Sequence, residues 1–82
     1  MEVFDRMKEL LTYIARNLVD HPDAVHVTEH AGDGETVLEL RVDPEDMGKV
    51  IGRQGRIAKE IRTLIRSVAQ RQGTRVSVEI ID

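Results

Sequence analysis

The chain has 82 residues, no cysteine, and 12 lysines and arginines against 15 acidic residues, which gives a net charge of −3. This length suits one domain, and the lack of cysteine excludes a disulfide framework and a thiolate metal site. No apolar run has membrane-spanning length and no signal-peptide core precedes the first charges, so the expected location is the cytoplasm.

The charge is distributed unevenly along the chain. Residues 1–48 contain 12 acids and 4 bases, a net charge of −8, whereas residues 49–82 contain 3 acids and 8 bases, a net charge of +5. A basic region on an acidic body favours local contact with phosphate over indiscriminate coating of polyanions. The negative sum therefore does not exclude nucleic acid as a partner.

Residues 2–20 predict an amphipathic helix that packs on a sheet. Apolar side chains recur there at helical spacing. The predicted stripe comprises Val3, Phe4, Met7, Leu10, Leu11, Ile14, Ala15 and Leu18. The opposite face is acidic, which disfavours a role at a membrane surface. His21 precedes a proline, and this residue pair predicts the end of the helix.

Two strands are predicted over residues 24–30 and 35–42, joined by a glycine-bearing hairpin connection at residues 31–34. Charged and apolar side chains alternate along the second strand, which predicts one buried face formed by Leu38, Leu40 and Val42. The three histidines are His21, His26 and His30. On a strand the last two would lie about 13 Å apart, too far to share an ion, so no metal site is predicted.

The segment Asp43-Pro44-Glu45-Asp46 predicts a helix start, because it offers an Asp N-cap, a proline at the first position and acids in the first turn. The helix is short. Its apolar edge comprises Met47, Val50 and Ile51, and it ends at Gly52-Arg53-Gln54-Gly55.

A longer helix is predicted from this loop to about Gln72, with Gly73 as its left-handed stop. Its predicted core stripe comprises Ile57, Ile61, Leu64, Ile65 and Val68. The opposite face is basic, with Arg56, Lys59, Arg62 and Arg66, and Glu60 is its only acid. We expect the first two turns to face phosphate, and Arg66 and Arg71 to be ordinary surface residues.

Residues 74–81 predict a third strand, in which Val76, Val78 and Ile80 alternate with polar residues. The predicted order is therefore α-β-β-α-α-β, an α+β fold with a three-stranded mixed sheet and three helices on one face. The last strand should run parallel to the second, because the two helices between them form a crossover.

The glycine loop at residues 52–55 has two interpretations when it is taken alone. Glycines permit positive φ and a close approach of phosphate to the main chain, and the loop presents the N-terminus of the next helix to an anion. The same spacing also occurs in plain turns between helices.

The flanking residues favour the first interpretation. Residues 50–61, Val-Ile-Gly-Arg-Gln-Gly-Arg-Ile-Ala-Lys-Glu-Ile, resemble the K-homology (KH) signature Val-Ile-Gly-x-x-Gly-x-x-Ile-x-x-Ile, with Ile57 one place nearer the loop than in some members. The element order resembles a type II KH domain over the whole chain, so residues 1–82 are expected to form a single KH domain.

The chain is most similar to the small bacterial single-KH proteins of the KhpA group. This resemblance implies a cytoplasmic RNA-binding protein, with an RNA chaperone or post-transcriptional regulatory role. Such proteins self-associate or pair with a larger KH protein of the KhpB (Jag/EloR) group, so a homodimer or such a heterodimer is expected.

The resemblance also implies a clamp for about four nucleotides of single-stranded RNA, formed by the glycine loop and an aliphatic groove. The implied RNA-binding residues are Lys49, Val50, Ile51, Gly52, Arg53, Gln54, Gly55, Arg56, Ile57 and Lys59. The groove would include Val50, Ile51 and Ile57, and a purely structural role stays open for Val50 and Ile57.

Two further conclusions concern the class of function. The only aromatic residues are Phe4 and Tyr13, so base-stacking platforms are excluded and a single domain should bind weakly without pairing. No nucleophile motif, phosphate-binding Walker loop or deep pocket is predicted, which disfavours an enzyme, and no cofactor is expected. The alternative is a protein–protein dimerisation module with incidental RNA contact.

Overall fold

The computed structural model describes the backbone of residues 3–81 and the side chains of residues 6–81. The helices are α1 (Val3–Leu18), α2 (Met47–Ile51) and α3 (Arg56–Arg71), and the strands are β1 (His26–Ala31), β2 (Thr36–Arg41) and β3 (Val76–Ile81). This order confirms the predicted α-β-β-α-α-β arrangement. No helix in the described part of the chain is both long and apolar enough to cross a membrane.

The three strands form one mixed sheet with β2 in the centre. β1 pairs with β2 in antiparallel orientation, and Val27 lies opposite Leu40. β3 pairs with β2 in parallel orientation, and Leu38 lies opposite Val78. The parallel pair confirms the prediction that the two intervening helices return the chain to the same end of the sheet.

The core lies between one face of this sheet and helices α1 and α3, and α2 packs against both helices. The buried side chains that form it are Met7, Leu11, Ala15, Val25, Val27, Leu38, Leu40, Ile61, Ile65, Ala69, Val76 and Val78. The predicted stripe of α1 is thus confirmed at its buried positions. The side chains of Val3 and Phe4 lie outside the described residues.

One residue of the predicted α3 stripe is misplaced. Leu64 is 45% exposed, whereas the buried stripe of α3 comprises Ala58, Ile61, Ile65 and Ala69. At 100° per residue, Leu64 lies roughly 100° from the centre of that stripe, at the side of the helix. The prediction failed because two alanines carry the ends of the stripe, and alanine gives a weaker hydrophobic signal than leucine.

Capping signals define both ends of the α2–α3 crossover. The Asp43 side chain accepts a hydrogen bond from the Glu45 N–H at 2.9 Å, and a 3₁₀ turn over Pro44–Asp46 leads into α2. At the far end, Gly73 has a φ of 75°, which confirms the predicted left-handed stop of α3. These two signals fix where the glycine loop and its helices begin and end.

Candidate nucleic-acid interface

The loop from Gly52 to Gly55 links α2 to α3 in a tight turn. Gly52, Gln54 and Gly55 have φ values of 77°, 57° and 75°. The Gly52 N–H donates to the Gly48 carbonyl at 2.9 Å, and the Gly55 N–H donates to the Gly52 carbonyl at 3.1 Å. The turn is therefore held by its own backbone hydrogen bonds, and Gln54 occupies a left-handed conformation that suits glycine, asparagine or aspartate better.

The two glycines are required for different reasons. A Cβ atom at Gly52 would lie 2.6 Å from Cγ1 of Ile57, which is closer than real contacts allow, whereas a Cβ atom at Gly55 would meet nothing within 4 Å. Gly52 thus permits both the backbone angle and the packing of Ile57 over the turn. Gly55 leaves open space at the start of α3, where a ligand can approach the main chain.

Three cations of the predicted site extend into solvent beside this turn. Arg53, Arg56 and Lys59 are exposed, and among the side chains that the structure describes they form no ion pair. Helix α3 begins after Gly55 without a side-chain cap. The amide groups of its first turn and the positive end of its dipole therefore favour an anion at the same place as the three cations.

Lys49, which the sequence placed in the same site, has different surroundings. Its Nζ lies 3.2 Å from Oδ2 of Asp20 and 3.9 Å from Oδ1 of Asp46. Asp20 belongs to the connection that follows α1, and Asp46 immediately precedes α2. The charge of Lys49 is thus already shared with two carboxylates.

The three predicted groove aliphatics do not share one environment. Val50 has no exposed surface, so the structure places it in the interior, in line with the structural role left open for it. Ile51 is 37% exposed. Ile57 is half-buried and packs both on the core and over Gly52. Exposed aliphatic surface next to the loop is therefore supplied by Ile51 and by part of Ile57.

The cations on the basic face of α3 have different surroundings before and after its first turn. The Arg62 Nε donates a hydrogen bond of 3.2 Å to the carbonyl of Val78 in the edge strand β3. This contact directs the Arg62 guanidinium toward the sheet and satisfies a backbone acceptor that β2 does not pair. The cations left on α3 next to the loop are Arg56 and Lys59.

An ion pair beside α2, between a buried carboxylate and a half-exposed histidine, was missed by the sequence analysis. Oδ2 of Asp46, a residue only 1% exposed, accepts hydrogen bonds from the backbone N–H of His21 at 2.9 Å and from its Nδ1 at 3.0 Å. The two residues are 25 positions apart, and neither periodicity nor a motif links them. The pair attaches the connection after α1 to the start of α2.

The geometry shifts the pKa of both partners. The hydrogen bond to the Asp46 carboxylate raises the pKa of His21, partial burial opposes this, and the nearby carboxylates of Asp43, Asp46 and Glu45 raise it further. Burial raises the pKa of Asp46, but the hydrogen bonds from His21, together with the backbone of Asp20 and the charge of His21, outweigh it, and the net pKa is lowered. The side-chain nitrogen of His21 and the carboxylate oxygens of Asp43 and Glu45 lie within 4.8 Å of one another. The negative charges of the two carboxylates stabilise the protonated imidazole of His21.

Comparisons with known proteins agree with this architecture. A family model described as the KH domain of KhpA/KhpB matches residues 8–80. The chain is 60% identical over 75 residues to the RNA-binding protein KhpA of Clostridium acetobutylicum. The aligned segment covers 92% of this chain and 100% of that protein. It is 57% identical over 75 residues to KhpA of Clostridium perfringens, with the same coverage.

Solved structures of larger proteins contain the same fold. A crystal structure of Aquifex aeolicus Era bound to GDP·AlF4⁻ superposes with a TM-score of 0.65 at 24% identity, over 98% of this chain and 31% of that chain. Era in complex with MgGDPNP and nucleotides 1506–1542 of 16S ribosomal RNA superposes with a TM-score of 0.62 at 26% identity, over 90% of this chain and 28% of that one. The chain thus spans about a third of Era.

The family match covers most of the described chain, and the relatives match it from end to end of their own sequences. The loop, the order of elements and the sheet are those expected for a type II KH domain. This chain belongs to the KhpA/KhpB family of KH domains.

Proposed function

We propose that this protein binds single-stranded RNA, and that residues 1–82 act as a single KH domain that grips about four nucleotides with the Gly52–Gly55 loop. One observation carries the proposal: an exposed turn with positive φ, bearing Arg53 and Gln54, opens onto an uncapped 16-residue helix. The curated relatives are named RNA-binding proteins, and the larger Era protein has been solved with ribosomal RNA, which supports the proposal.

The chemistry of the site favours the RNA backbone over the bases. Arg53, Arg56 and Lys59 are exposed cations, and Ile51 and Ile57 offer aliphatic contact in place of aromatic stacking. Two or three neutralised phosphates on a single strand give a slope of about −1.5 to −2 in log K against log salt. We therefore expect weak, salt-dependent binding that prefers single strands to duplex.

Weak single sites become useful when they are paired. We propose that the protein acts in the cytoplasm as an RNA chaperone or post-transcriptional regulator, without catalysis, as a homodimer or with a KhpB-type KH protein. Linking two sites raises avidity without a new contact to RNA.

The alternative, a dimerisation module with incidental RNA contact, is favoured by one feature. Leu64 is a large apolar side chain exposed on α3, in a shallow depression that is also lined by Arg56, Lys59, Glu60, Thr63 and Ser67. Apolar surface that is rimmed by polar side chains is a feature of protein interfaces. If the protein binds RNA through the Gly52–Gly55 loop, changes in the loop should lower its RNA affinity. If it is a dimerisation module, they should not.

The test changes Arg53 and Gln54 together to Asp and leaves both glycines in place. Aspartate tolerates the left-handed angle of Gln54, so the fold should persist, while two carboxylates oppose phosphate and a charge-assisted contact is lost. Such a contact is worth about 1.5–3 kcal/mol, so the affinity for a short single-stranded RNA, measured by fluorescence anisotropy, should fall about tenfold to a hundredfold.

Arg71 and Gln72 provide a matched control. They form the same dipeptide, are exposed at the far end of α3, and undergo the same charge change when both become Asp. The control should lose less than about threefold, the residual effect of bulk charge. RNA affinity retained in a folded loop variant, or an equal loss in both variants, would refute the loop as the clamp.

A further inference from the structure

Lys49 is the one cation of the predicted site that is already paired. Its side chain is 44% exposed and lies on α2, one helical turn before Gly52, with Asp20 at 3.2 Å and Asp46 at 3.9 Å. The side chain of Asp20 is 70% exposed. An RNA phosphate that occupies the loop would meet a lysine with one solvated carboxylate and one buried carboxylate as competing partners.

The buried carboxylate has an incomplete set of partners. His21 supplies both hydrogen bonds to Oδ2 of Asp46. Oδ1 accepts no hydrogen bond within the described part of the chain, and the ammonium of Lys49 is the cation next to it. An ionised oxygen withdrawn from water is unfavourable unless a charge compensates it, so Asp46 attracts Lys49 toward itself.

We propose that Asp20 and Asp46 form an acidic clasp that competes with RNA phosphate for Lys49 and holds the RNA affinity of the loop below its maximum. This inference rests on the proposed function. Asp20 is the replaceable arm, because its carboxylate is solvated and contacts Lys49 alone among the described side chains. Asp46 is the fixed arm, because its burial and its bonds to His21 hold the start of α2.

The experiment compares Asp20→Asn with Asp23→Asn. Both replace an exposed carboxylate in the connection after α1 by its isosteric amide, but only Asp20 contacts Lys49. Asp20→Asn should raise the affinity for single-stranded RNA two- to fivefold, which is about 0.4–1 kcal/mol and matches the strength of an exposed ion pair. The salt slope should steepen by about 0.7, since one more phosphate is neutralised. Asp23→Asn should change the RNA affinity and the salt slope by less than half of these amounts.

The dependence on Lys49 is tested in the same way. In a Lys49→Met background, Asp20→Asn should leave the affinity unchanged, because the competing cation is gone. The clasp is overturned if Asp20→Asn and Asp23→Asn act equally, or if the gain persists without Lys49, since either result assigns the effect to bulk charge.

A readout without RNA separates this proposal from the proposed function. Acylation of Lys49 by an activated ester should be faster in Asp20→Asn than in the parent chain, relative to Lys59, which forms no ion pair among the described side chains. An unchanged ratio would overturn the clasp. If labelling changed but RNA binding did not depend on Arg53 and Gln54, the loop assignment would fail and the competition for RNA would fail with it.

Discussion

The two loop glycines should respond very differently to alanine, and the structure gives the magnitudes. At Gly52, with φ of 77° and ψ of 174°, the strained backbone costs about 1–3 kcal/mol. The overlap of a methyl group with Ile57, 2.6 Å from Cγ1, adds about 1–3 kcal/mol. At Gly55 only the left-handed angle opposes alanine, at about 1–2 kcal/mol. We therefore expect Gly52→Ala to destabilise by about 2–6 kcal/mol.

Gly48 completes the series as a control. It lies within α2, needs no positive φ, and has open space where the methyl group of an alanine would lie, so Gly48→Ala should stabilise by about 0.5–1 kcal/mol. The total stability of an 82-residue chain is about 4–12 kcal/mol. The loss at Gly52 is thus large enough to consume much of it.

Urea unfolding followed by circular dichroism measures all three variants. With a slope of about 1 kcal/mol per molar urea, the midpoint should rise by about 0.5–1 M for Gly48→Ala and fall by about 1–2 M for Gly55→Ala. For Gly52→Ala it should fall by at least about 2 M. If Gly52→Ala proved as mild as Gly55→Ala, the packing of Ile57 over the turn would not be the constraint that we infer.

Two further predictions concern pH and self-association. The pKa of His21 is raised above its ordinary value of 6.5, so its stabilisation is complete below that value and is lost as the pH rises through the raised folded-state pKa. The thermal midpoint should therefore fall more between pH 6 and 8.5 in the parent chain than in His21→Gln, with His26→Gln as the control; identical profiles would contradict a stabilising His21–Asp46 pair. Leu64→Lys should shift sedimentation of the proposed dimer toward monomer at micromolar concentration, whereas Tyr13→Lys, at the most exposed large hydrophobic side chain among the described residues, should not. A dimer unaffected by Leu64→Lys would assign the contact elsewhere.

Local patterns in the sequence predicted the fold well because each is set by neighbouring residues. The alternation around Leu38 and Leu40 places both on the buried face, and the Asp43 N-cap and the Gly73 stop lie where expected. Helical periodicity wrongly placed Leu64 in the buried stripe of α3, because the residues at the two ends of that stripe are the small Ala58 and Ala69. A hydrophobic pattern ranks positions by size as well as by angle, so a large side chain near the edge of a stripe is overestimated.

The candidate site was predictable to the level of the loop but not of its charge partners. The glycines and the exposed Arg53 follow from a motif within the chain segment itself. The pairing of Asp46 with His21 joins residues 25 positions apart, and that of Lys49 with Asp20 likewise depends on how α1 and α2 approach each other. Such contacts require the tertiary structure, since no local rule connects the two ends.

A chain of net charge −3 can present a basic site because some of its cations are paired elsewhere while others, among the described side chains, stay unpaired beside the loop. Carboxylates compensate Lys49, and the guanidinium of Arg62 reaches the carbonyl of Val78. Arg56 and Lys59 lie one turn apart, about 4.5 Å along the axis of α3, and Arg53 lies three residues before Arg56, in the turn. That axial spacing is shorter than the screening length of about 8 Å at physiological salt, so the fields of these cations overlap beside the loop, and we expect them to meet the two or three phosphates of one bound strand. Acids farther away than that length weaken the local field little, so we expect the distribution of unpaired cations, rather than the net charge, to set the affinity for RNA.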